Sequence, residues 1–337
     1  MSISDILLSV VVIGRNEGPR LRRCLESVCA MRLPASAGRE MIYVDSDSTD
    51  NSVEIASTLG ARVVRVKPER PTAALGRNAG WRVASGEYVL FLDGDTILHP
   101  DFVAFSLPHF SAPRTAVVWG HRRETDTRAS VYNRVLDLDW IYAPGISEFC
   151  GGDALMRRSV LEEVGGYDEG LIAGEEPEMC RRMRARGYEI LHIDHPMTGH
   201  DLAIRRWSQY WRRAVRTGYA YAAVSSRFAG TDSPFWEADA RGNLIRGTFW
   251  TALFVLSLPA AVLLGSVLPP LLSCLLFLLL AARSAGKVAW KSPDRITRFL
   301  YGIHSHLQQI PMLVGQIKYH LDRKARRSRK LIEYKQP

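Results

Sequence analysis

The sequence predicts an α/β fold: a doubly wound, mostly parallel sheet, followed by a C-terminal α-helical membrane hairpin and an amphipathic helix. Three observations carry that expectation. Short apolar runs and helically spaced segments alternate in the order βαβαβαβ over the first 95 residues, the pattern of a parallel sheet with crossover helices. The runs are apolar throughout instead of alternating with polar residues, as strands buried on both faces are. From Gly247 to Ala282, 36 residues pass without a charge, whereas one membrane span needs about 20.

Taken in order, LLSVVVIG (7–14) is a β-branched run and reads as a buried strand. EGPRLRRCLESVCAM spaces Leu21, Leu25 and Val28 as a helix does. REMIYVDSD is a strand ending near Asp45, and DNSVEIASTLG is a helix capped by Asp50 or Asn51 and closed by Gly60. ARVVRVKP is a short strand, TAALGRNAGWRVASG a helix running to Gly86, and EYVLFLDGD a further strand. TAVVWGHRRE continues the sheet; CGGDALMRRSVLEEVGGYDE reads as a Gly-Gly-Asp turn before a short helix. AGEEPEMCRRMRARGYEILHIDHP then gives an acidic turn, a basic helix and a strand. The expected domains are an α/β domain over 1–225, a linker over 226–246, the hairpin over 247–283, and an interfacial helix with a polybasic tail over 284–337.

The formal charge of +9 is concentrated at one end. Eight Lys or Arg face Asp322 and Glu333 between Lys318 and Pro337, and the rest of the chain is nearly balanced. With no zinc-finger, homeodomain or RNA-recognition signature, no nucleic-acid partner is expected. Five cysteines without metal spacing fit a reducing compartment, and no secretory signal is visible. The turn GRNEGP lacks both Gly-x-Gly-x-x-Gly and Gly-Lys-Ser/Thr, which disfavours a dinucleotide fold and a phosphate loop.

FLDGDTILHP places Asp93 and Asp95 one residue apart at the end of a hydrophobic run. Asp-Gly is ordinary turn chemistry. Two adjacent carboxylates are also hard oxygen ligands for Mg²⁺ or Mn²⁺. Asp45, Asp93 and Asp95 all fall at strand carboxyl ends, where open α/β sheets bind ligands, and three acids on one edge repel unless a cation sits among them.

SVVVIGRNEGPRLRRCLESV, YVDSDSTDNS, GRNAGWRVASGEYVLFLDGDT, GGDALMRRSVLEEVGGYDE and GEEPEMCRRMRARGY, in this order, resemble the inverting family 2 glycosyltransferases of the GT-A fold over roughly residues 7–220. The resemblance implies a nucleotide-sugar donor and a Mg²⁺ or Mn²⁺ cofactor. It implies that Asp45 contacts the base or ribose with Asn16 and Glu17 nearby, and that Arg77 lies near the diphosphate. Asp93 and Asp95 correspond to the Asp-x-Asp motif, and His200 to a third metal ligand of some GT-A enzymes, against a purely structural histidine. Glu176 takes the place of the base, where an Asp is usual, with Glu175 beside it; helix capping is the alternative for both. Gly152 and Asp153 correspond to a position near the donor sugar or acceptor, against an Asx turn.

Gly14-Arg15 departs from the Thr-Tyr of many members. Arg206-Trp207 follows Ala203 in place of the Gln of the processive Gln-x-x-Arg-Trp motif, which disfavours a long-chain synthase and leaves Arg206 and Trp207 as donor or acceptor contacts. RRWSQYWRRAVRTGYAYA combines five arginines with Trp207, Tyr210 and Trp211, a mixture suited to a membrane interface. The expected activity is transfer from a UDP-sugar to a lipid-linked saccharide or glycolipid at the inner membrane, with the catalytic domain facing the cytoplasm. A polyprenyl-phosphate sugar synthase is the alternative enzyme, and a nucleotide-sugar-binding scaffold the non-catalytic one.

Overall fold

The structure, a computed structural model, describes residues 6–34, 37–67 and 69–325. In chain order the elements are β1 (Ile6–Gly14), α1 (Pro19–Cys29), β2 (Gly38–Asp45), α2 (Ser52–Thr58), β3 (Arg62–Arg65), α3 (Ala73–Trp81), β4 (Tyr88–Asp93), β5 (Thr96–Leu98), α4 (Phe102–Ser106), β6 (Thr115–Glu124) and α5 (Val131–Leu136). There follow β7 (Gly145–Ser147), β8 (Ala154–Arg157), α6 (Arg158–Val164), α7 (Glu175–Ala185), β9 (Glu189–His200), α8 (Trp207–Phe228), α9 (Glu237–Leu263), α10 (Leu268–Lys287), α11 (Arg295–Leu307) and α12 (Gln309–Lys324). They divide into two compact units, residues 1–125 with 140–202, and residues 126–139 with 203–337.

In the first unit the described strands form one mixed, mostly parallel sheet in the order β3-β2-β1-β4-β8-β6-β9-β5, with β7 on β9. Val10, Val11 and Val12 of β1 are fully buried, as a central strand covered by helices on both faces requires. The register matters for function. Gly14 pairs with Asp45 and Ile13 with Asp93, so these two carboxylates flank the end of β1, two strand spacings or about 10 Å apart.

Two local expectations differ from the structure. The third helix stops at Trp81, short of Gly86; Gly86 instead lies against the backbone of Ser9, where no Cβ fits. Ala154–Arg157, expected within a turn and helix, is instead strand β8, antiparallel between β4 and β6. Ala-Leu-Met-Arg has no β-branched residue, and only pairing across the sheet makes it a strand.

In the second unit the uncharged run makes the apolar part of α9 and all but the end of α10. The chain reverses at 264–267, where Gly265 has φ 54°, and Pro269 sits in the first turn of α10, where its missing N–H costs nothing. At 1.5 Å per residue the two helices are about 40 and 30 Å long. Val262 and Leu263 at the tip are 81% and 85% exposed.

The segment from Phe299 to Leu313, expected as one amphipathic helix, is two helices that meet at Gln308, with Pro311 in the first turn of α12. Met312, Leu313 and Tyr319 are buried. Here α12 crosses α8 backbone to backbone: a Cβ on Gly218 would strike the Met312 carbonyl, and one on Gly315 the Val215 carbonyl. Small residues permit this approach in apolar surroundings. Gly315→Val is therefore expected to destabilise the protein by about 2 kcal/mol or more, read as a lowered thermal midpoint. Residues 326–337, which hold most of the basic tail, lie outside the described residues.

Candidate active site

Sheet pairing assembles the site at the carboxyl ends of β1 and β4. Asp93 ends β4 and Asp95 follows across Gly94, whose N–H bonds the Ile13 carbonyl at 2.8 Å. Strand β5 turns back to pair with β9, Thr96 opposite His200, and this brings the His200 imidazole Nε2 to 3.5 Å from Asp95 Oδ2. Ligand atoms of Asp93, Asp95 and His200 lie within 4.8 Å of one another. Two carboxylates and an imidazole are a donor set suited to Mg²⁺ or Mn²⁺, and the site fits a divalent cation.

Arg77 reaches the same place from α3. Its guanidinium is 2% exposed and binds Asp93 Oδ1 at 2.9 Å, Glu175 Oε1 at 3.0 Å and Glu176 Oε1 at 2.9 Å. Tyr167 lies under it, 5.6 Å from ring centroid to guanidinium carbon. Gly152 passes so close that a Cβ there would collide with this guanidinium, so any side chain at 152 would displace Arg77. Glu175 and Glu176 open α7 behind Gly174, whose φ is 84°; the positive end of the helix favours carboxylates in that turn. Burial first, and the Glu175 carboxylate second, push Glu176 up to about 7 against the pull of Arg77.

Asp153 precedes β8 and is fully buried. Its Oδ1 accepts the Asp93 N–H at 3.0 Å, and its Oδ2 accepts the Thr198 hydroxyl at 2.7 Å. Burial raises its carboxyl above the ordinary range while Arg122 pulls it back. Arg122 comes from β6 opposite Thr198, lies 3.3 Å from Asp93 Oδ2 and 3.5 Å from Asp153 Oδ2, and stacks on Trp140 at 5.1 Å. Sequence reading did not single out Arg122, Trp140, Thr198 or Tyr167. The signal for Arg122 was a basic pair, Arg122-Arg123, at the end of an apolar strand, where neither membrane nor nucleic acid called for one.

At the other flank of β1, Asp45 is 3% exposed and accepts the Ser48 N–H at 3.0 Å and the Tyr43 hydroxyl at 3.2 Å. Asn16 holds a left-handed φ of 57°, and its Oδ1 accepts the Thr49 N–H at 2.8 Å. Glu17 pairs with Arg20 at 2.9 Å, and its Cγ is 3.1 Å from where a Gly94 Cβ would be. Asp45 and Asn16 thus share one loop cluster around Ser48 and Thr49, and Glu17 reaches from it toward Gly94. Arg206 and Trp207 belong to the second unit, where they start α8. Gln209 Oε1 accepts the Arg206 N–H at 3.0 Å, and Trp207 stacks on Tyr210 at 5.2 Å.

The family model of glycosyl transferase family 2 matches residues 9–165, and that of glycosyl transferase family group 2 matches residues 88–286. Glycosyltransferase AglE of Haloferax volcanii is 25% identical over 63% of this chain and 71% of its own length. The pre-mycofactocin glycosyltransferase of Mycobacterium tuberculosis is 26% identical over 59% of this chain, and the match spans 44% of that protein. Among solved structures, the mannosyltransferase PcManGT from Pyrobaculum calidifontis, in complex with GDP-Man and Mn²⁺, superposes with a TM-score of 0.66 at 19% identity, covering 94% of this chain and 87% of that one; at that identity the likeness is one of fold.

Proposed function

From the premise that the chain belongs to the family 2 glycosyltransferases, we propose that it transfers a sugar with inversion from a UDP-sugar to a lipid-linked saccharide or glycolipid. The observation that carries the reading is the convergence of Asp93, Asp95 and His200 with Arg77 and the Glu175-Glu176 pair. Asp93, Asp95 and His200 would hold Mg²⁺ or Mn²⁺, which when bound would supply Lewis-acid stabilisation of the departing diphosphate. Arg77 is a fixed cation beside it. Asp45, Asn16 and Glu17 cradle the nucleoside. Asp153 acts as a positioning residue, holding the Asp93 backbone and Arg122.

Glu176 removes the proton of the acceptor hydroxyl as that oxygen attacks the anomeric carbon, and a carboxyl poised near neutrality suits that task. The base must be ionised to act. Activity is therefore expected to rise with pH through a midpoint near 7, moved lower when a bound cation adds positive charge nearby. A kcat/KM profile from pH 5 to 9 checks this, with Glu176→Gln lacking that ascending limb.

The exposed apolar faces of α9 and α10 support a membrane hairpin that returns the chain to the side it left. With the site on the cytoplasmic side of the inner membrane, a lipid-bearing acceptor is presented beside the donor. Thermal-shift screening with UDP and GDP, each with and without Mn²⁺, tests the donor class: a midpoint raised by one of them only when metal is present supports the reading, since a ligand of the native state stabilises by mass action. Stabilisation by neither nucleotide contradicts it. GDP is included because PcManGT, with its GDP-Man, shares the fold.

A further inference from the structure

Around the site, five carboxylates (Asp93, Asp95, Asp153, Glu175, Glu176) stand against the guanidiniums of Arg77 and Arg122 among the described residues. Counted as ionised, these groups leave three negative charges in excess, of which a divalent cation would neutralise two, and both Asp93 oxygens already carry a positive partner. Arg77 Nη2 holds Oδ1 at 2.9 Å, and Arg122 Nη2 lies 3.3 Å from Oδ2. A cation that takes Asp93 as a ligand therefore competes with a guanidinium already there, and like charges a few ångströms apart in a partly buried site repel strongly.

We propose that Arg122 is the guanidinium that gives way: it stands in for the cation on Asp93 and, once displaced, turns to the diphosphate of the donor. The inference rests on the metal reading of Asp93, Asp95 and His200 given above.

The two arginines differ in how firmly they are fixed. Arg77 is 2% exposed, makes three contacts of 2.9–3.0 Å and is backed by Tyr167, with Gly152 closing on it. Arg122 is 12% exposed, and its contacts to Asp93 and Asp153 are longer, 3.3 and 3.5 Å. It also has a support that survives the move. The guanidinium stacks on Trp140 at 5.1 Å, and the same ring meets His200 edge-on at 4.8 Å. A guanidinium pivoting on Trp140 stays beside the cation's own ligand. Released from Asp93, its planar fork suits phosphate oxygens, so metal and diphosphate binding become coupled through one side chain. Arg122 is a specificity and positioning residue in this account; the proton transfer remains with Glu176.

The test is Mn²⁺ binding followed by electron paramagnetic resonance on the purified full-length protein without nucleotide, then UDP and GDP binding in saturating Mn²⁺. Arg122→Gln is expected to bind Mn²⁺ roughly tenfold more tightly than wild type, because a competing unit charge is gone. With Mn²⁺ saturating, the same variant is expected to bind the preferred nucleotide roughly tenfold more weakly, as a lost charged contact to phosphate implies. Arg122→Lys keeps the charge without the fork; it restores near-wild-type Mn²⁺ affinity but not nucleotide affinity, and serves if the Gln variant does not fold. Equal or weaker Mn²⁺ binding by Arg122→Gln, with Mn²⁺ binding by the wild type and a fold unchanged by circular dichroism and thermal midpoint, overturns the exchange and leaves the metal reading standing. Absence of Mn²⁺ binding in the wild type overturns both.

Discussion

Asp95→Asn is expected to reduce Mn²⁺-dependent nucleotide binding by more than about 100-fold, since even outer partners of metal ligands are worth roughly 10- to 100-fold. The fold should survive. Asp95 is 4% exposed at a strand-end rim, its neighbour His200 is 3.5 Å away, and the amide keeps the shape and one acceptor oxygen. Removing a negative charge from a cluster already rich in carboxylates relieves repulsion, so the metal-free thermal midpoint should hold or rise. Calorimetric titration of UDP and GDP, with Mn²⁺ and with EDTA, reads the first effect, and the midpoint reads the second. A variant whose nucleotide binding keeps the metal dependence of the wild type would exclude Asp95 as a ligand.

Glu176→Gln is expected to retain donor and Mn²⁺ affinity and lose transfer by about 10²- to 10⁴-fold, the scale of a removed general base. The distinction from a helix-capping role is quantitative. A first-turn carboxylate contributes only about 0.3–1 kcal/mol to the helix, and Gln keeps the side chain's length while removing only its charge. Arg77 would still be held by Glu175 and Asp93. A capping role predicts a slightly lower thermal midpoint with near-normal turnover. Near-normal transfer by Glu176→Gln would move the base to Glu175 or Asp153.

How much of this was legible in the sequence follows from what each feature depends on. The β1–β4 order could be read because strands buried on both faces need uninterrupted apolar runs, and SVVVIG and YVLFLD are such runs. Asp93 and Asp95 were legible because charge at the end of such a run has no role in the core. The convergence of Glu175, Glu176, Arg77 and Asp93 depends on chain segments up to about 100 residues apart, and only the family resemblance suggested it. Asp153 illustrates the limit. As a Gly-Gly-Asp turn it reads as a loop, but its neighbours become strand β8, which lays its carboxylate under the Asp93 N–H.

Arg122 escaped because a basic residue at a strand end has many uses, and its partners Asp93, Asp153 and Trp140 are fixed only by the β6–β9 and β4–β8 pairings. In the second unit composition fixed the apolar hairpin, but not the helix break at Gln308. Met312 and Leu313, just past that break, are buried.

The most direct test of the central claim is release of nucleoside diphosphate by the full-length protein in lipid–detergent micelles, from a panel of UDP- and GDP-sugars, with Mn²⁺ or with EDTA. Release is expected from one donor, dependent on the metal, accelerated by a lipid-bearing acceptor and lost in both Asp95→Asn and Glu176→Gln. Release that EDTA leaves unchanged, or that persists in Asp95→Asn, would contradict it.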